Sequence, residues 1–396
     1  MRIAINGVGV AGPALAYWLH RNGHEPVLIE KAARLRTGGS VIDFWGVGYT
    51  IAERMGILPE VLETGYSFQE LRLVDGRGRK VGGFSTDVFQ RLADGRFTSL
   101  PRGDLAAIIY RTVENCVETL FDNSIAGIEE YDGGVRVGFE RGPPRDFDLV
   151  IGADGSHSAV RRLVFGPEDQ FEKQLGYRVA TFEVKGYRPR DELTYVAHGT
   201  PGRQLARIAL RDDRTVFLLV FRSEVMTRPD PTNLAETRAL LRDIFADVGW
   251  ESPQILRAMD QVTEIYFDRV SQIRMGPWSK GRVALIGDAA CAVSFLAGEG
   301  TGLAMTEAYV LAGELNRARD DYREAFTKYE KQLRPFLEGK QKAAESLASS
   351  FVPKTQLGIW LRNQTTRMMR LPGIADWLIG RSVSVIDDFD LPDYSG

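Results

Sequence analysis

The chain of 396 residues predicts an α/β fold, with a parallel sheet gathered from distant segments, a second β-rich region and a helical tail. Three observations carry that reading. Residues 2 to 30 run strand, glycine-rich turn, apolar helix, strand. Two later apolar strands, near 148–152 and 282–286, each stop at a Gly/Asp turn and lead toward a helix. Between them, residues 177 to 222 hold further β-rich runs.

Composition bounds the answer before any motif is read. Hydrophobic residues make up 44% and charged ones 26%, an ordinary globular mix, and a prior of ~150 residues per domain suggests two to three domains. The 50 basic residues face 53 acidic ones, so no basic excess asks for nucleic acid. Cys116 and Cys291 are far apart and no C-x-x-C exists, which fits a reducing compartment. His20, His24, His157 and His198 form no metal spacing, so no metal is expected. The N-terminus opens as a strand without a signal-peptide core, and runs such as 216–221 fall far short of the ~20 apolar residues that span a bilayer. The expectation is a cytoplasmic protein with no integral membrane segment.

The first element is the most informative. A buried strand (2–6) meets Gly7-Val8-Gly9-Val10-Ala11-Gly12, then an apolar helix through Leu15, Ala16, Trp18 and Leu19 that Gly23 stops, then a strand Pro26 to Ile29 ending at Glu30. This is a complete Rossmann-type dinucleotide fingerprint. Gly7 permits the tight turn, Gly9 lets backbone approach a pyrophosphate, and Gly12 allows close helix-to-strand packing. The helix N-terminus favours negative charge. Glu30 stands where it accepts from a ribose diol. The candidate cofactor contacts here are Gly7, Val8, Gly9, Ala11, Gly12, Glu30 and its neighbour Lys31, with Gly39 in the loop that follows. The fingerprint by itself leaves FAD and NAD both open.

In the second segment, Asp148 to Ile151 leads into Gly152-Ala153-Asp154-Gly155, with Ser158 as the cap of a helix. Asp154 is a candidate cofactor contact, against the alternative of a turn aspartate. In the third, Arg282 to Ile286 ends at Gly287-Asp288, and Gly298-Glu299-Gly300-Thr301-Gly302 opens a helix running from Leu303 to about Leu315. Asp288, Gly298, Gly300, Thr301 and Gly302 are candidates: the carboxylate accepts from a hydroxyl, and N–H groups at a helix start stabilise an anion.

These three segments, in this order and spacing, resemble the class A FAD-dependent monooxygenases, the flavoprotein aromatic hydroxylases of the para-hydroxybenzoate hydroxylase fold, over roughly residues 1 to 335. The stretch Gly38 to Gly46 is similar to its equivalent in the tetracycline-inactivating monooxygenases. The resemblance implies FAD as cofactor and NADPH or NADH as transient co-substrate. It also implies a fold of a Rossmann-type FAD-binding domain from discontinuous segments (1–70, 95–172 and 272–335), a substrate-binding β-sheet domain (71–94 and 173–271) and a C-terminal helical segment (336–396). Pro101-Arg102-Gly103-Asp104-Leu105 resembles the family's helix start at the flavin, which nominates Arg102. The implied activity is hydroxylation of an aromatic or polyketide-like small molecule with O2 and NAD(P)H through a flavin C4a-hydroperoxide. The flavin carries the chemistry, so no catalytic side chain is singled out. A related flavin reductase or dehydrogenase and a non-catalytic flavin sensor are the alternatives, and the chain is expected to be a monomer or homodimer.

The chain departs from the family pattern at Cys291 (usually His), Phe295 (usually Pro) and Gly302 (usually Asn). Cys291 reads as a small buried residue before it reads as a reactive thiol. Residues 71–84 read as a hairpin, and Thr232 or Asn233 caps a helix. Phe182, Tyr195, Phe217 and Phe221 line a pocket or are ordinary core, and Trp45 packs on substrate or anchors its loop. In the tail, Trp360, Leu361, Met368, Met369 and Trp377 recur at helical spacing with Arg362, Arg367 and Arg370 between them, and Pro353 and Pro372 mark breaks.

Overall fold

The computed structural model describes residues 1–35, 39–319, 321–370, 373–374 and 389–394, with side chains omitted at 346–350. Trp377 and Pro372 lie outside the described residues.

The N-terminal unit folds as the pattern predicts. The strand Arg2–Asn6 is apolar and almost wholly buried, the helix Ala11–Arg21 follows at once, and Gly23 (φ +81) turns the chain into the strand Glu25–Ile29. That helix packs beneath the long helix Gly300–Ala318, burying Leu15, Leu19 and Trp18. Among the described residues the sheet has six strands in the order Ser279–Lys280, Val283–Leu285, Leu149–Gly152, Arg2–Asn6, Glu25–Ile29, Glu118–Leu120, all parallel except the first. Sequence neighbours diverge on either side of Arg2–Asn6, which makes a crevice at the carboxyl ends of the central strands.

The β-rich region forms a second sheet of seven strands, from Tyr266–Ile273 through Glu172–Lys185, Arg214–Arg222, Arg203–Ala209, Thr194–Thr200 and Glu70–Val74 to Lys80–Ser85. The last two are the expected hairpin. One face packs Phe182, Phe217 and Phe221 against the helix Leu234–Phe245, so these three aromatics are core. Asn233 caps that helix by accepting from the Glu236 amide, with the Glu236 carboxylate reaching back to Thr232 and Asn233. On the other face stand Leu71, Leu73, Tyr195, Ala197 and Ala206. A two-stranded ribbon, Val41–Trp45 with Phe97–Pro101, joins the two sheets.

The tail begins with the helix Tyr322–Phe351, which runs through Pro335, breaks at Pro353, and continues as the helix Gln356–Met368. Among the described residues no helix is long and apolar enough to cross a membrane.

Candidate flavin site

Three neighbouring parallel strands, Arg2–Asn6, Leu149–Gly152 and Val283–Leu285, release their turns at one sheet edge. The turns touch. A Cβ on Gly7 (φ +113) would lie 2.7 Å from the Ala153 carbonyl carbon, and one on Gly12 would overlap the Gly7 carbonyl oxygen. A Cβ on Gly287 would sit 3.3 Å from that of Ala11. By contrast a Cβ on Gly9, Gly39 (φ +100) or Gly298 (φ +71) would meet none of the described residues within 4 Å. The first group of glycines closes the protein on itself, and the second leaves space.

Two helices start at this edge. Ala11–Arg21 follows Val10 and Gly300–Ala318 follows Glu299, and, like most of the described helices, neither receives a side-chain cap from the described residues. Uncapped first-turn N–H groups beside open space are anion-binding chemistry.

The individual residues divide between building the edge and facing it. Glu30 accepts from the Val8 amide and the Ala32 amide, both at 2.8 Å, which ties the glycine turn to the second strand. An ionised carboxylate has about four acceptor positions, so capacity remains for a ribose diol. Lys31 follows it into the exposed loop. Asp154 is an internal brace: it accepts from Asn6 Nδ2 at 2.8 Å, from the amides of Ala159 (2.7 Å) and Val160 (3.2 Å), and from the Ser158 hydroxyl. Ser158 in turn caps the Ala159–Val164 helix, as expected.

Asp288 begins the short helix Asp288–Cys291, just after Gly287. Its carboxylate accepts no hydrogen bond from the described residues, and burial raises its pKa against the pull of Arg102. A Cβ on Gly300 would lie 3.8 Å from its Oδ1. The nearby Thr301 hydroxyl is buried and has no partner among the described residues. Arg102 opens the helix Arg102–Arg111, its amide donating to the Ser40 carbonyl at 2.9 Å while its side chain is exposed within electrostatic reach of Asp288 and Tyr266. Gly302 marks a crossing of helices: a Cβ on Gly48 would stand 2.5 Å from the Gly302 Cα.

Beneath the Gly287 turn lies a residue that motif reading missed. Glu307 accepts from the Gly287 amide at 2.8 Å and from the Tyr329 hydroxyl at 3.0 Å, and burial pushes its pKa up to about 8. Its only trace in the sequence is an acidic residue within the apolar run Leu303 to Leu311. Cys291 is buried beside it, and burial, with Glu307 adding to it, raises the thiol's pKa far from a nucleophile's range. At the mouth, Phe295 stacks on the exposed Tyr266 at 5.9 Å, and the Tyr266 hydroxyl donates to Asp268 at 3.0 Å. His157 bridges Glu168 at 3.0 Å and Asp268 at 3.1 Å, with Asp268 the chief cause of a pKa pushed up to about 9. Trp45 lines a small cavity with Gly46, Gly48 and Gly302, and the Lys340 ammonium sits 5.6 Å from its ring, paired with Glu299 at 2.7 Å.

A wider cleft of about 530 Å³ opens away from this edge, between Arg72, Asp191, Arg207, Trp250 and Glu251. It lies on the sheet face that carries Val196 and Arg207, opposite Tyr195 and Ala197, and its charges are spent on one another, Arg207 pairing with both Asp191 and Glu251. The convergence of glycine turns, and not cleft size, marks the candidate edge.

The residues fit FAD on three counts: a half-buried carboxylate at Asp288 that accepts nothing from the described residues, a buried Thr301 hydroxyl with no partner among them, and glycine turns left open beside two helix starts. Comparison with known proteins agrees. The family described as FAD binding domain matches residues 1–338. A flavin-dependent monooxygenase of Legionella longbeachae is 36% identical over 359 residues, covering 90% of this chain and 91% of its own. The crystal structure of tetracycline destructase Tet(51) is 31% identical with a TM-score of 0.85, covering 99% of each chain. Klebsiella pneumoniae HpxO, solved with FAD and uric acid, shares the fold at 22% identity and a TM-score of 0.78, covering 98% of this chain and 97% of its own. The open glycine edge is therefore the candidate flavin site of a chain that belongs to the FAD-binding-domain family of flavin-dependent monooxygenases.

Proposed function

We propose that the chain uses NAD(P)H and O2 to hydroxylate an aromatic or polyketide-like small molecule. FAD held by these residues would supply the redox chemistry, hydride acceptance from the nicotinamide and activation of O2, with one oxygen atom going to the substrate and the other to water. The protein's part is to bind, orient and exclude water.

The residues divide that work as follows. The turn Gly7, Val8, Gly9, Ala11 and Gly12 receives the pyrophosphate on the start of the Ala11–Arg21 helix, and Glu30 with Lys31 holds the adenosine end. Asp288 accepts from a ribityl hydroxyl. Gly298, Gly300, Thr301 and Gly302, at the uncapped start of the Gly300–Ala318 helix, stabilise negative charge on the reduced ring system. Gly39 and Arg102 close the ring side, and Asp154 acts through the backbone it braces against Gly7. The seven-stranded sheet supplies the substrate wall, in keeping with a substrate domain built from 71–94 and 173–271. The likeness to a tetracycline destructase supports a multi-ring, oxygen-rich substrate.

The observation that carries this reading is Asp288, a half-buried carboxylate with no donor from the described residues, set between three touching glycine turns. The test is spectral. Purified protein loaded with FAD is expected to show flavin bands that bleach with NADPH or NADH under anaerobic conditions, and to consume O2 in proportion to substrate added. A protein that fails to take up FAD, or whose bound flavin is reduced by neither nucleotide even with candidate substrates present, overturns it.

A further inference from the structure

The helix Gln356–Met368 has two faces of different kinds. One rests on the strands Lys80–Ser85 and Thr194–Thr200. There Ile359 is buried, Arg362 Nη1 donates to Gln204 Oε1 at 2.6 Å, and the Thr366 hydroxyl accepts from the Gly83 amide at 3.1 Å. Just past the helix end, Arg370 Nε donates to the Gly83 carbonyl at 3.0 Å. A Cβ on Gly82 would stand 3.1 Å from the Asn363 carbonyl oxygen, so this face is closely packed. The other face carries Leu357, Trp360, Leu361 and Met368, each 51% to 66% exposed. At about 3.6 residues per turn these four fall within a sector of roughly 100°.

Eight large hydrophobic side chains are exposed among the described residues, and these are four of them. The other four, Leu62, Tyr131, Leu163 and Tyr266, stand singly on different elements. Scattered apolar residues are ordinary on a protein surface, whereas a continuous stripe marks a contact. The charge around the stripe is of one sign. From residue 346 to residue 375 the sequence has no Asp or Glu, although 53 acidic residues in 396 average about four over that length. The same stretch holds Lys354, Arg362, Arg367 and Arg370. Arg367 and Arg370 are exposed and form no ion pair with the described residues, and Lys354 meets Glu224 at 2.7 Å in a pair more than half exposed on both sides.

A second copy of the chain suits this face poorly. A 13-residue helix is ~20 Å long and offers a strip ~10 Å wide, roughly 200 Å², against the ~800 Å² per partner of a stable interface. A two-fold contact would also bring two basic flanks together. A lipid surface needs no matched shape. Trp and Leu sink to the headgroup boundary, and basic residues beside them gain from anionic headgroups.

We propose that the outer face of the helix Gln356–Met368 docks the protein on the surface of an anionic phospholipid bilayer. Leu357, Trp360, Leu361 and Met368 seat at the headgroup boundary, and Arg367 and Arg370 lie against the lipid phosphates. The helix lies in the plane of the surface and does not cross it. It rests on the sheet proposed as the substrate wall, so docking brings that wall to the lipid. The inference goes beyond the proposed reaction and stands without it.

The test uses the full-length chain and two sets of vesicles, one of phosphatidylcholine alone and one with about a third phosphatidylglycerol. In co-sedimentation the chain is expected to bind the anionic vesicles about tenfold or more strongly, with release in high salt and a blue shift of tryptophan emission. Trp360→Phe keeps the binding and loses most of the shift. Leu357→Ser with Trp360→Ser weakens binding about tenfold or more, Arg367→Gln weakens it on the order of fivefold, and Leu163→Ser, on another element, leaves it unchanged. No binding at millimolar lipid, equal binding to both sets, or binding that survives the double substitution each overturns the proposal. So does self-association of the wild type that the double substitution abolishes, which assigns the face to a second copy. A marked fall in melting temperature in the double variant overturns it too, because the face is then covered in solution. The FAD-free chain gives the same readouts, so failure to take up FAD counts against the flavin reading and leaves this test standing.

Discussion

Gly7 and Ala153 meet so closely that a methyl group on Gly7 would press into the Ala153 carbonyl, while a methyl group on Gly9, two residues along the same turn, would enter empty space. The two glycines of one motif therefore do different jobs. Gly7 is required by the protein, and Gly9 by what the protein binds.

That contrast gives a first prediction. Gly7→Ala combines left-handed strain with a backbone clash and is expected to cost about 3 kcal/mol or more. Gly9→Ala should leave stability within roughly 1 kcal/mol while weakening FAD binding about tenfold or more. Urea denaturation of the FAD-free chain, set beside flavin fluorescence titration, separates the two; equal losses of stability would contradict the division.

Asp288 offers the reverse pattern. Its carboxylate is half-buried and accepts no hydrogen bond from the described residues, so Asp288→Asn should not lower the melting temperature of the FAD-free chain. Loss of a charge-assisted hydrogen bond should nonetheless reduce FAD affinity by roughly ten- to a hundredfold. Unchanged affinity in a fluorescence titration would remove Asp288 from the flavin site.

Glu307 is expected to matter to stability first. Glu307→Ala leaves the buried Gly287 amide and Tyr329 hydroxyl without that acceptor, a loss of about 2–4 kcal/mol, whereas Glu307→Gln keeps an acceptor and should lose far less. Because burial raises its pKa from 4.5 to about 8, the folded chain holds this proton more tightly than the unfolded one. Stability from this group is complete below about pH 4.5 and is lost as pH rises through about 8, so E307Q should gain on wild type over that window. A constant difference between the two from pH 5 to 8.5 in urea melts would refute this.

His157 sets a second pH window. Its ordinary value of 6.5 is pushed up to about 9, chiefly by Asp268, and the Asp268 pKa is lowered in turn. The contribution is therefore complete below about pH 6.5 and disappears as pH climbs through 9. Since the imidazole is half exposed, added salt should shrink the effect. His157→Gln should be less stable than wild type at pH 6.5 and equal to it near pH 10, as read by denaturation midpoints.

The turns were legible because their chemistry is local. Gly7, Gly9, Gly12 and Glu30 fall within one strand-helix-strand unit, and the strand ends before Asp154 and Asp288 announce themselves as apolar runs stopped by Gly and Asp. The motif did not show that Asp154 spends its side chain on Asn6 and a helix cap, since that depends on which strand lies next to which. Gly48 was invisible for the same reason: its partner at the crossing, Gly302, is more than 250 residues away. Phe182, Phe217 and Phe221 could have been pocket or core by sequence alone, and the helix Leu234–Phe245 decides for core.

The central sheet also constrains how the chain can be made. Its middle strand, Arg2–Asn6, is synthesised first, but it gains its second neighbour only with Leu149–Gly152, and that strand gains its own with Val283–Leu285. At ribosomal speeds of about 5–20 residues per second, the first strand-helix-strand unit waits on the order of tens of seconds with an apolar edge uncovered. Pairings this distant in sequence are also slow to form once available. The nascent N-terminal third is thus a natural client for a chaperone until residue 285 has cleared the ribosome, and C-terminal truncations before that point should aggregate instead of accumulating as a smaller folded domain.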